Sequence, residues 1–292
     1  MAGRELRYSV FWGCTIPVLQ PFVEKATRLV FGRLGVELLE VEGATCCPDP
    51  EISRIAGPEA WLILASRNMA IAESLGVPML ILCNGCYDTF VKALKELKEA
   101  EGRMEEVRGA LKGLSLEFEG KLEVRHVIEV LHDDIGLRRL RERVKPLFRG
   151  VKVFIQYGCR IFRDEDTKKL PEKFDRLVSM LGAEPVGSLK RLCCGVPMMY
   201  FDESRAIHER AKLKLEDARQ SGADLIVTFC PACFNMLEKA QLALAREGLR
   251  FDIPIANYVE LLAVAMGFEP DDFGAYMHRI PLDEVWEVVG IA

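Results

Sequence analysis

The ten cysteines of this 292-residue chain form two copies of one five-cysteine pattern, and no cysteine is left over. The first copy consists of Cys14, Cys46, Cys47, Cys83 and Cys86, and the second of Cys159, Cys193, Cys194, Cys230 and Cys233. The single cysteine precedes the adjacent pair by 31 intervening residues in the first copy and by 33 in the second, and 35 residues separate the pair from the CxxC motif in both. This recurrence indicates an internal duplication. The repeated element is a set of soft metal ligands.

The two halves align beyond their cysteines. The offset between copies is 145 residues at the first cysteine and 147 at the later ones, but it falls to 131 where Arg125–Leu131 resembles Ala256–Leu262. The difference, 147 − 131 = 16, means that the first half carries 16 extra residues, which we place in the charged stretch Lys95–Lys121 as a surface helix or excursion. We therefore expect an N-terminal domain over residues 1–149 and a C-terminal domain over residues 150–292.

Strand-like and helix-like segments alternate in each half. The apolar runs Leu6–Trp12 and Val151–Tyr157 end just before a Gly-Cys dipeptide, and Met79–Leu82 and Leu225–Phe229 lead directly into the CxxC motifs. This alternation predicts an α/β fold of two pseudo-symmetric repeats, each a small Rossmann-like parallel sheet with flanking helices. The cysteines then fall at the carboxyl ends of strands, where ligands of such sheets collect.

Helical periodicity predicts two equivalent helices between the cysteine pairs and the CxxC motifs. Their core-facing residues are expected to be Trp61, Leu64, Ala65, Met69 and Ala72 in the first half and Ile207, Ala211, Leu215 and Ala218 in the second.

Composition excludes several classes of function. The net charge is −5 with both signs mixed along the chain, which is not typical of a nucleic-acid-binding protein. The N-terminal residues lack the layout of a secretory signal, and the apolar runs are far shorter than the ~20 residues that span a bilayer. We expect a cytoplasmic protein with no membrane span. No G-x-G-x-x-G or Walker-type loop occurs, so we expect neither nucleotide nor flavin in this chain.

In the cytoplasm, dense cysteine indicates metal binding or catalysis rather than disulfides. Adjacent cysteines do not easily chelate one atom, but they can bind two irons of a polynuclear cluster, which favours iron–sulfur over mononuclear zinc. Three alternatives stay open. Structural zinc uses four ligands and would leave one thiol spare in each half. Disulfides would leave an odd cysteine in each repeat unless the halves are cross-linked, and cubane clusters with four thiolates would leave one cysteine of each set unused.

The cysteine stretches resemble the cysteine-rich CCG domain, present twice, and the whole chain resembles the B subunit of heterodisulfide reductase. The resemblance is carried by Gly13-Cys14, Gly35–Leu38, Glu42–Pro48, Cys83–Cys86, Val124–His126, Tyr157–Cys159, Cys193–Gly195, Cys230–Cys233 and His278–Pro281. The duplicated five-cysteine pattern is specific for the CCG domain, but it is less specific for the reduction of a heterodisulfide. CCG domains also occur in glycolate and lactate dehydrogenase complexes, in anaerobic glycerol-3-phosphate dehydrogenase and in some fumarate reductases.

The resemblance implies two noncubane [4Fe–4S] clusters that face each other at the domain interface, each bound by one five-cysteine set. It implies reductive cleavage of the coenzyme M–coenzyme B heterodisulfide or a similar small sulfur substrate, in methanogenesis or sulfur metabolism. The expected partners are a ferredoxin-like C subunit and a flavin-containing A subunit, which supply the electrons.

Two departures from the family lie beside the second cysteine set. Arg160 stands where the family usually has histidine, and the bulky segment Val196–Tyr200 replaces a glycine-rich one. Arg160 is a candidate anchor for a sulfonate or carboxylate, or else an ordinary surface or interface arginine. Met198 and Met199 are candidate pocket residues, although methionine commonly fills core gaps.

Three other functions stay open. The first is a B-type subunit of a sulfur-oxidising complex that acts on a persulfide or protein-bound sulfur. The second is an electron-transfer subunit of a flavin dehydrogenase, and the third is a zinc-stabilised interaction module.

Overall fold

A computed structural model describes residues 6–161 and 168–291 of the chain. The strands are β1 (Leu6–Phe11), β2 (Val36–Glu40), β3 (Met79–Ile81), β4 (Val124–His126), β5 (Lys152–Gln156), β6 (Glu184–Val186), β7 (Leu225–Thr228) and β8 (Ile255–Asn257). The helices of the first half are α1 (Thr15–Leu19), α2 (Pro21–Arg33), α3 (Ile52–Ala56), α4 (Pro58–Glu73), α5 (Asn84–Glu99), α6 (Arg103–Lys112), α7 (Val127–Glu129) and α8 (Leu137–Arg141). Those of the second half are α9 (Leu170–Met180), α10 (Val196–Met199), α11 (Glu203–Ala206), α12 (Lys212–Gln220), α13 (Pro231–Arg246), α14 (Tyr258–Ala265), α15 (Pro270–Phe273) and α16 (Asp283–Val288).

The described strands form two four-stranded sheets with the same topology. The order is β2-β1-β3-β4 in the first sheet and β6-β5-β7-β8 in the second, and every pairing is parallel. The central strands are apolar on both faces because helices cover both sides of a parallel sheet. All three residues of β3 and all four of β7 are buried. The predicted α/β fold with two parallel sheets is confirmed.

The predicted helix faces are largely confirmed. Helix α4 buries Trp61, Ala65, Met69 and Ala72, but Leu64 is 45% exposed, so its predicted core position is wrong. At about 100° per residue, Leu64 lies well to one side of the buried stripe. In the second half all four predicted residues are buried. There, one π-helical turn at Ile207–Ala211 joins α11 to α12, a local change of hydrogen bonding that periodicity does not reveal.

The extra residues of the first half do not all lie on the surface. They form the end of α5 and the separate helix α6, which begins after Gly102 in the left-handed conformation (φ 79°). Helix α6 buries Val107 and Leu111. The insertion therefore adds core as well as solvated surface to the first half.

Packing divides the chain into two compact units. Unit 1 comprises residues up to 19 together with 31–127, and unit 2 comprises 20–30 together with residues from 128 onward. Residues 20–30 pack in unit 2 through Gln20, whose Nε2 donates to the carbonyl of Pro231 at 2.9 Å and to Oδ1 of Asn235 at 2.7 Å. The predicted boundary between residues 149 and 150 divides the sequence repeats, and it stays a prediction.

No helix within residues 6–161 and 168–291 is both long and apolar enough to cross a membrane.

A buried ion pair lies near the end of the chain in unit 2. Nε2 of His278 is 3.1 Å from Oε2 of Glu260, and both side chains are wholly inaccessible to solvent. Phe22 covers the imidazole at a ring-centroid distance of 4.3 Å. Burial alone would lower the pKa of His278, but the Glu260 carboxylate, with smaller contributions from Glu238 and the backbone of Ile255, outweighs burial and raises that pKa. Burial raises the pKa of Glu260.

We predict that Glu260→Gln destabilises the protein by about 3 kcal/mol, because the imidazolium of His278 loses its hydrogen-bonded counter-charge in a site that water cannot reach. Unfolding of the metal-free protein, followed by circular dichroism in denaturant, measures the change. The double variant Glu260→Gln/His278→Gln is the control, since it leaves neither charge in place and should recover part of the loss. Equal losses in the single and double variants would contradict a stabilising pair.

Candidate metal centres

The first five cysteines meet at the carboxyl edge of the unit 1 sheet. Cys14 follows β1 and Cys83 follows β3, where Cys83 also occupies the N-cap position of α5. The adjacent pair lies in the loop after β2. The thiols contact one another in a chain that runs Cys14, Cys46, Cys47, Cys86 and Cys83. All five predicted ligands of the first set are therefore brought together.

The second five cysteines repeat this arrangement in unit 2. Cys159 follows β5, and Cys230 follows β7 at the N-cap of α13. The chain of contacts runs Cys159, Cys193, Cys194, Cys233 and Cys230. The order matches that of the first set position by position, so the duplication seen in the sequence extends to the geometry of the thiols.

Crowding perturbs the ionisation of these thiols. In the first set, hydrogen bonds from Cys46 and Cys86 lower the pKa of Cys47 to about 6. The same contacts raise the pKa of Cys86, which bonds to Cys47 and Cys83. In the second set, the pKa of Cys194 is lowered and that of Cys233 is raised for the equivalent reasons. One thiolate in each set is stabilised only while its neighbours keep their protons.

A cationic centre would remove this restriction, since thiolates bound to a metal no longer need protons to avoid mutual repulsion. The thiols follow one another in a chain, which offers ligands to several metal atoms. In the part of the chain that the structure describes, no three His, Cys, Asp or Glu side chains are grouped so as to hold one metal ion. The donor set fits a polynuclear iron–sulfur cluster, for which thiolates are the usual ligands.

Neighbouring helices hold the loop of the first cysteine pair. Asn68 of α4 accepts a hydrogen bond from the backbone N–H of Thr45 at 2.9 Å and donates to the carbonyl of Cys46 at 3.0 Å. Thr89 of α5 donates through its hydroxyl to the carbonyl of Pro48 at 3.0 Å. Asn68 and Thr89 are both buried. The position of the pair therefore depends on two buried polar side chains.

The segment that leads to the second pair is held from α12. The carboxylate of Asp217 accepts hydrogen bonds from the backbone N–H groups of Ser188 at 2.8 Å and Leu189 at 2.7 Å. The ammonium of Lys214 donates to the carbonyl of Leu189. Each adjacent cysteine pair is thus positioned by a helix that follows it in the chain.

Two glycines allow the close approach of backbone to these sites. Gly13 has a φ of 72°, and a Cβ atom there would lie 3.2 Å from Sγ of Cys86. Gly195 has a φ of 107°, and a Cβ atom there would lie 2.8 Å from the carbonyl oxygen of Ala206. A side chain at either position would displace the neighbouring cysteine or its loop.

The other predicted site residues lie near the second set along the chain. Arg160 directly follows Cys159 and is only 8% exposed, which does not fit a surface arginine. Met198 and Met199 lie half-buried on the short helix α10, which begins two residues after Cys194.

Sequence reasoning missed Gln156, Lys214 and Asn68, all of which are fully buried. A polar residue inside an otherwise apolar strand or helix face was the available signal for each of them.

Comparison with known proteins agrees with this geometry. The family model of the cysteine-rich CCG domain matches residues 8–91 and again 153–238. The chain is 36% identical over 286 residues to the B subunit of the ferredoxin:CoB-CoM heterodisulfide reductase of Methanosarcina mazei, covering 94% of both chains. The chain belongs to the family of heterodisulfide reductase B subunits and carries two CCG domains. The predicted family and the predicted enzyme class, a component of an oxidoreductase, are confirmed.

Other relatives show the breadth of this family. A protein of Archaeoglobus profundus, named as similar to the B subunit of heterodisulfide reductase, is 32% identical, with 96% of this chain and 97% of that protein covered. The 8-methylmenaquinol:fumarate reductase membrane anchor subunit of Wolinella succinogenes is 29% identical, with 91% and 94% covered.

A crystal structure of a hypothetical protein from Helicobacter pylori shares the fold, with a TM-score of 0.75 at 14% identity. The alignment covers 96% of this chain and 53% of that one, so the chain spans about half the length of that protein.

We predict that Asn68→Leu loosens the first cysteine pair, because the backbone of Thr45 and Cys46 loses two hydrogen bonds worth about 1 kcal/mol each. In the metal-free, reduced protein, local opening should make the buried Cys47 react with an alkylating reagent roughly 30-fold faster. Mass spectrometry of the labelled peptides measures this rate. Cys194 in unit 2 is the internal control and should keep its rate. An unchanged rate at Cys47 would show that Asn68 does not hold the loop.

Proposed function

We propose that this protein is the catalytic iron–sulfur subunit of a heterodisulfide-reductase-like complex. In this proposal it reduces a disulfide, such as the coenzyme M–coenzyme B heterodisulfide or a similar compound, at two noncubane [4Fe–4S] clusters. The observation that carries the proposal is the pair of five-thiol groups, matched position by position, in a chain that belongs to the family of B subunits. Both groups use all five cysteines of their repeat, as a five-thiolate cluster requires.

Cys14, Cys46, Cys47, Cys83 and Cys86 would hold one cluster, and Cys159, Cys193, Cys194, Cys230 and Cys233 the other. Bound iron–sulfur clusters would supply one-electron transfer and soft iron sites with affinity for sulfur. Cleavage of a disulfide needs two electrons and two protons and yields two thiols. Two clusters in one chain match this demand for two electrons.

The chain's own residues would bind the substrate beside the second set. Arg160 is buried next to Cys159, and its guanidinium would pair with an anionic group of the substrate, such as a sulfonate or carboxylate. The half-buried side chains of Met198 and Met199 would line the apolar part of the pocket.

Electrons would come from partner chains, because we propose neither flavin nor nucleotide in this chain. The relatives are named as B subunits, which supports a complex with further chains. The partners we propose are a ferredoxin-like C subunit and a flavin-containing A subunit. A cytoplasmic location belongs to the same proposal.

A second candidate function is electron transfer without disulfide chemistry. The relative from Wolinella succinogenes, which is named as part of a fumarate reductase, supports it. A third, oxidation of a persulfide or protein-bound sulfur by a related complex, uses the same clusters in the opposite direction. Turnover with a defined disulfide distinguishes reduction from the other two.

We predict that anaerobically prepared protein contains iron and acid-labile sulfide in about equal amounts and little zinc, as a cluster of equal iron and sulfide requires. Cys47→Ala and Cys194→Ala, each at the centre of its thiol chain, should each remove one of two cluster signals in electron paramagnetic resonance and leave the other. Colourless protein with stoichiometric zinc would contradict the proposal. Loss of both signals in either variant would contradict two independent sites.

We predict that Arg160→Met raises the KM for an anionic disulfide at least tenfold, because a charge-assisted pair worth about 1.5–3 kcal/mol is lost. The assay measures oxidation of reduced viologen by the coenzyme M–coenzyme B heterodisulfide in the intact complex. Arg160→Lys is the matched control and should recover part of the affinity. An unchanged KM with full iron content would assign Arg160 to packing, and no turnover by the fully loaded wild-type complex would favour the second or third function.

A further inference from the structure

The two thiol sets are equivalent in geometry but not in their polar surroundings. Gln156, at the end of β5, is fully buried, and its Nε2 donates a hydrogen bond to Sγ of Cys233 at 3.4 Å. The equivalent residue of the first half, at the offset of 145, is Phe11, which cannot donate. Among the residues that the structure describes, Oε1 of Gln156 has no hydrogen-bond partner, so the contact with the sulfur is the hydrogen bond that orients the amide there. The second set also receives the backbone N–H of Gly195 at Sγ of Cys193, 3.4 Å away.

A buried cation lies within electrostatic range of the second set. The side chain of Lys214 on α12 is inaccessible to solvent, and its ammonium lies 5.4 Å from the ring centroid of Phe154. Burial lowers the pKa of Lys214 to about 8, and ionisation of the nearby cysteines Cys233, Cys194 and Cys193 would oppose this decrease. The amine is therefore charged at neutral pH. Asp217, the nearby carboxylate of the same helix, also favours this charge.

The position equivalent to Lys214 in the first half does not hold a buried cation. The residue at the offset of 147 is Arg67 on α4, which is partly exposed and donates from Nη1 to the carbonyl of Gly43 at 3.0 Å. Against the opposing bond from Cys14, the hydrogen bond to Cys47 and burial raise the pKa of Cys46, and the carboxylate of Asp49 adds a smaller increase. The equivalent of Asp49 in the second half is Val196. The first set therefore has the carboxylate of Asp49 nearby. The second set has the apolar side chain of Val196 at the equivalent position and the buried ammonium of Lys214 nearby.

Positive charge and hydrogen bonds to sulfur stabilise the reduced, more negative state of an iron–sulfur cluster and so raise its reduction potential. A buried charge acts more strongly than an exposed one, because solvent screens it less. Gln156 and Lys214 both act in this direction at the second set, whereas at the first set the Thr15 hydroxyl lies 3.8 Å from Sγ of Cys14, a longer contact than that of Gln156.

We propose that Lys214 and Gln156 make the second cysteine set the higher-potential site, so that its cluster is reduced before that of the first set. This inference rests on the proposed function, since it concerns clusters bound by the two sets. Lys214 and Gln156 are positioning residues that set the potential through charge and hydrogen bonding, and neither binds iron. The first of two electrons would therefore reduce the cluster of the second set, and the second electron would reduce the cluster of the first set.

Potentiometric titration of the loaded full-length chain, followed by electron paramagnetic resonance, tests the proposal. The background variant Cys47→Ala retains only the second site, and Cys194→Ala retains only the first. We expect a higher potential in the Cys47→Ala protein. In that background, Lys214→Met should lower the one-electron equilibrium constant about tenfold, which corresponds to about 59 mV, and Gln156→Leu should shift it in the same direction by less. Arg67→Met in the Cys194→Ala background is the matched control and should cause no comparable shift.

Lys214→Met also removes a hydrogen bond to Leu189, so loss of iron from that variant would report on folding. Lys214→Gln removes the charge and keeps a hydrogen-bond donor, and Gln156→Leu leaves the bond from Lys214 to Leu189 intact. If Lys214→Met does not bind iron, the potentials of these two variants test the inference. Equal potentials of the two sites, or no shift with full iron and sulfide content, would overturn this inference and leave the proposed function standing. Absence of iron and sulfide from the wild-type protein would overturn both.

Discussion

The repulsion between five crowded thiols is the constraint on which both sites depend. Cys47 and Cys194 each lie between two other cysteines, and hydrogen bonds from those neighbours are the largest stabilisation of their thiolates. The fold brings the sulfurs together at the carboxyl ends of parallel strands, where helices begin and amide dipoles favour negative charge. Such an arrangement is costly unless a metal centre replaces the protons. The chain-like order of the thiols offers ligands to several metal atoms, as in a polynuclear cluster.

The two repeats solve the positioning of the cysteine pair differently. In unit 1 the loop is held by the neutral side chains of Asn68 and Thr89, whereas in unit 2 the charged residues Asp217 and Lys214 hold the segment before it. The helices occupy equivalent places in the two repeats. The change from neutral to charged side chains therefore leaves the backbone arrangement intact but changes the electrostatic field at the cysteines. A duplicated fold can therefore give two chemically unequal sites without moving a ligand.

Spacing in the sequence was sufficient to predict the fold and the grouping of the cysteines. The hydrophobic runs located β1, β3, β5 and β7, and the constant gap of 35 residues placed the paired ligands alike in both halves. The bonds of Gln156 and Lys214 could not be predicted, because they depend on contacts between residues far apart in sequence. The π-helical turn before α12 is a local change that periodicity does not reveal, whereas the exposure of Leu64 follows from its angular position on α4. The packing of residues 20–30 with unit 2 is of the same kind, since it depends on Gln20 meeting Pro231 and Asn235.

The buried pair of His278 and Glu260 has a consequence for how the second repeat can be shortened. The family model of the cysteine-rich domain ends at residue 238, forty residues before His278. A fragment cut soon after that limit would lack the imidazole as well as β8 and α14, and one cut after α14 would leave Glu260 as an isolated acid among apolar side chains. The minimal folding piece of the second repeat therefore extends well past its last cysteine, and excision of the domain at its matched limits would yield an unstable product.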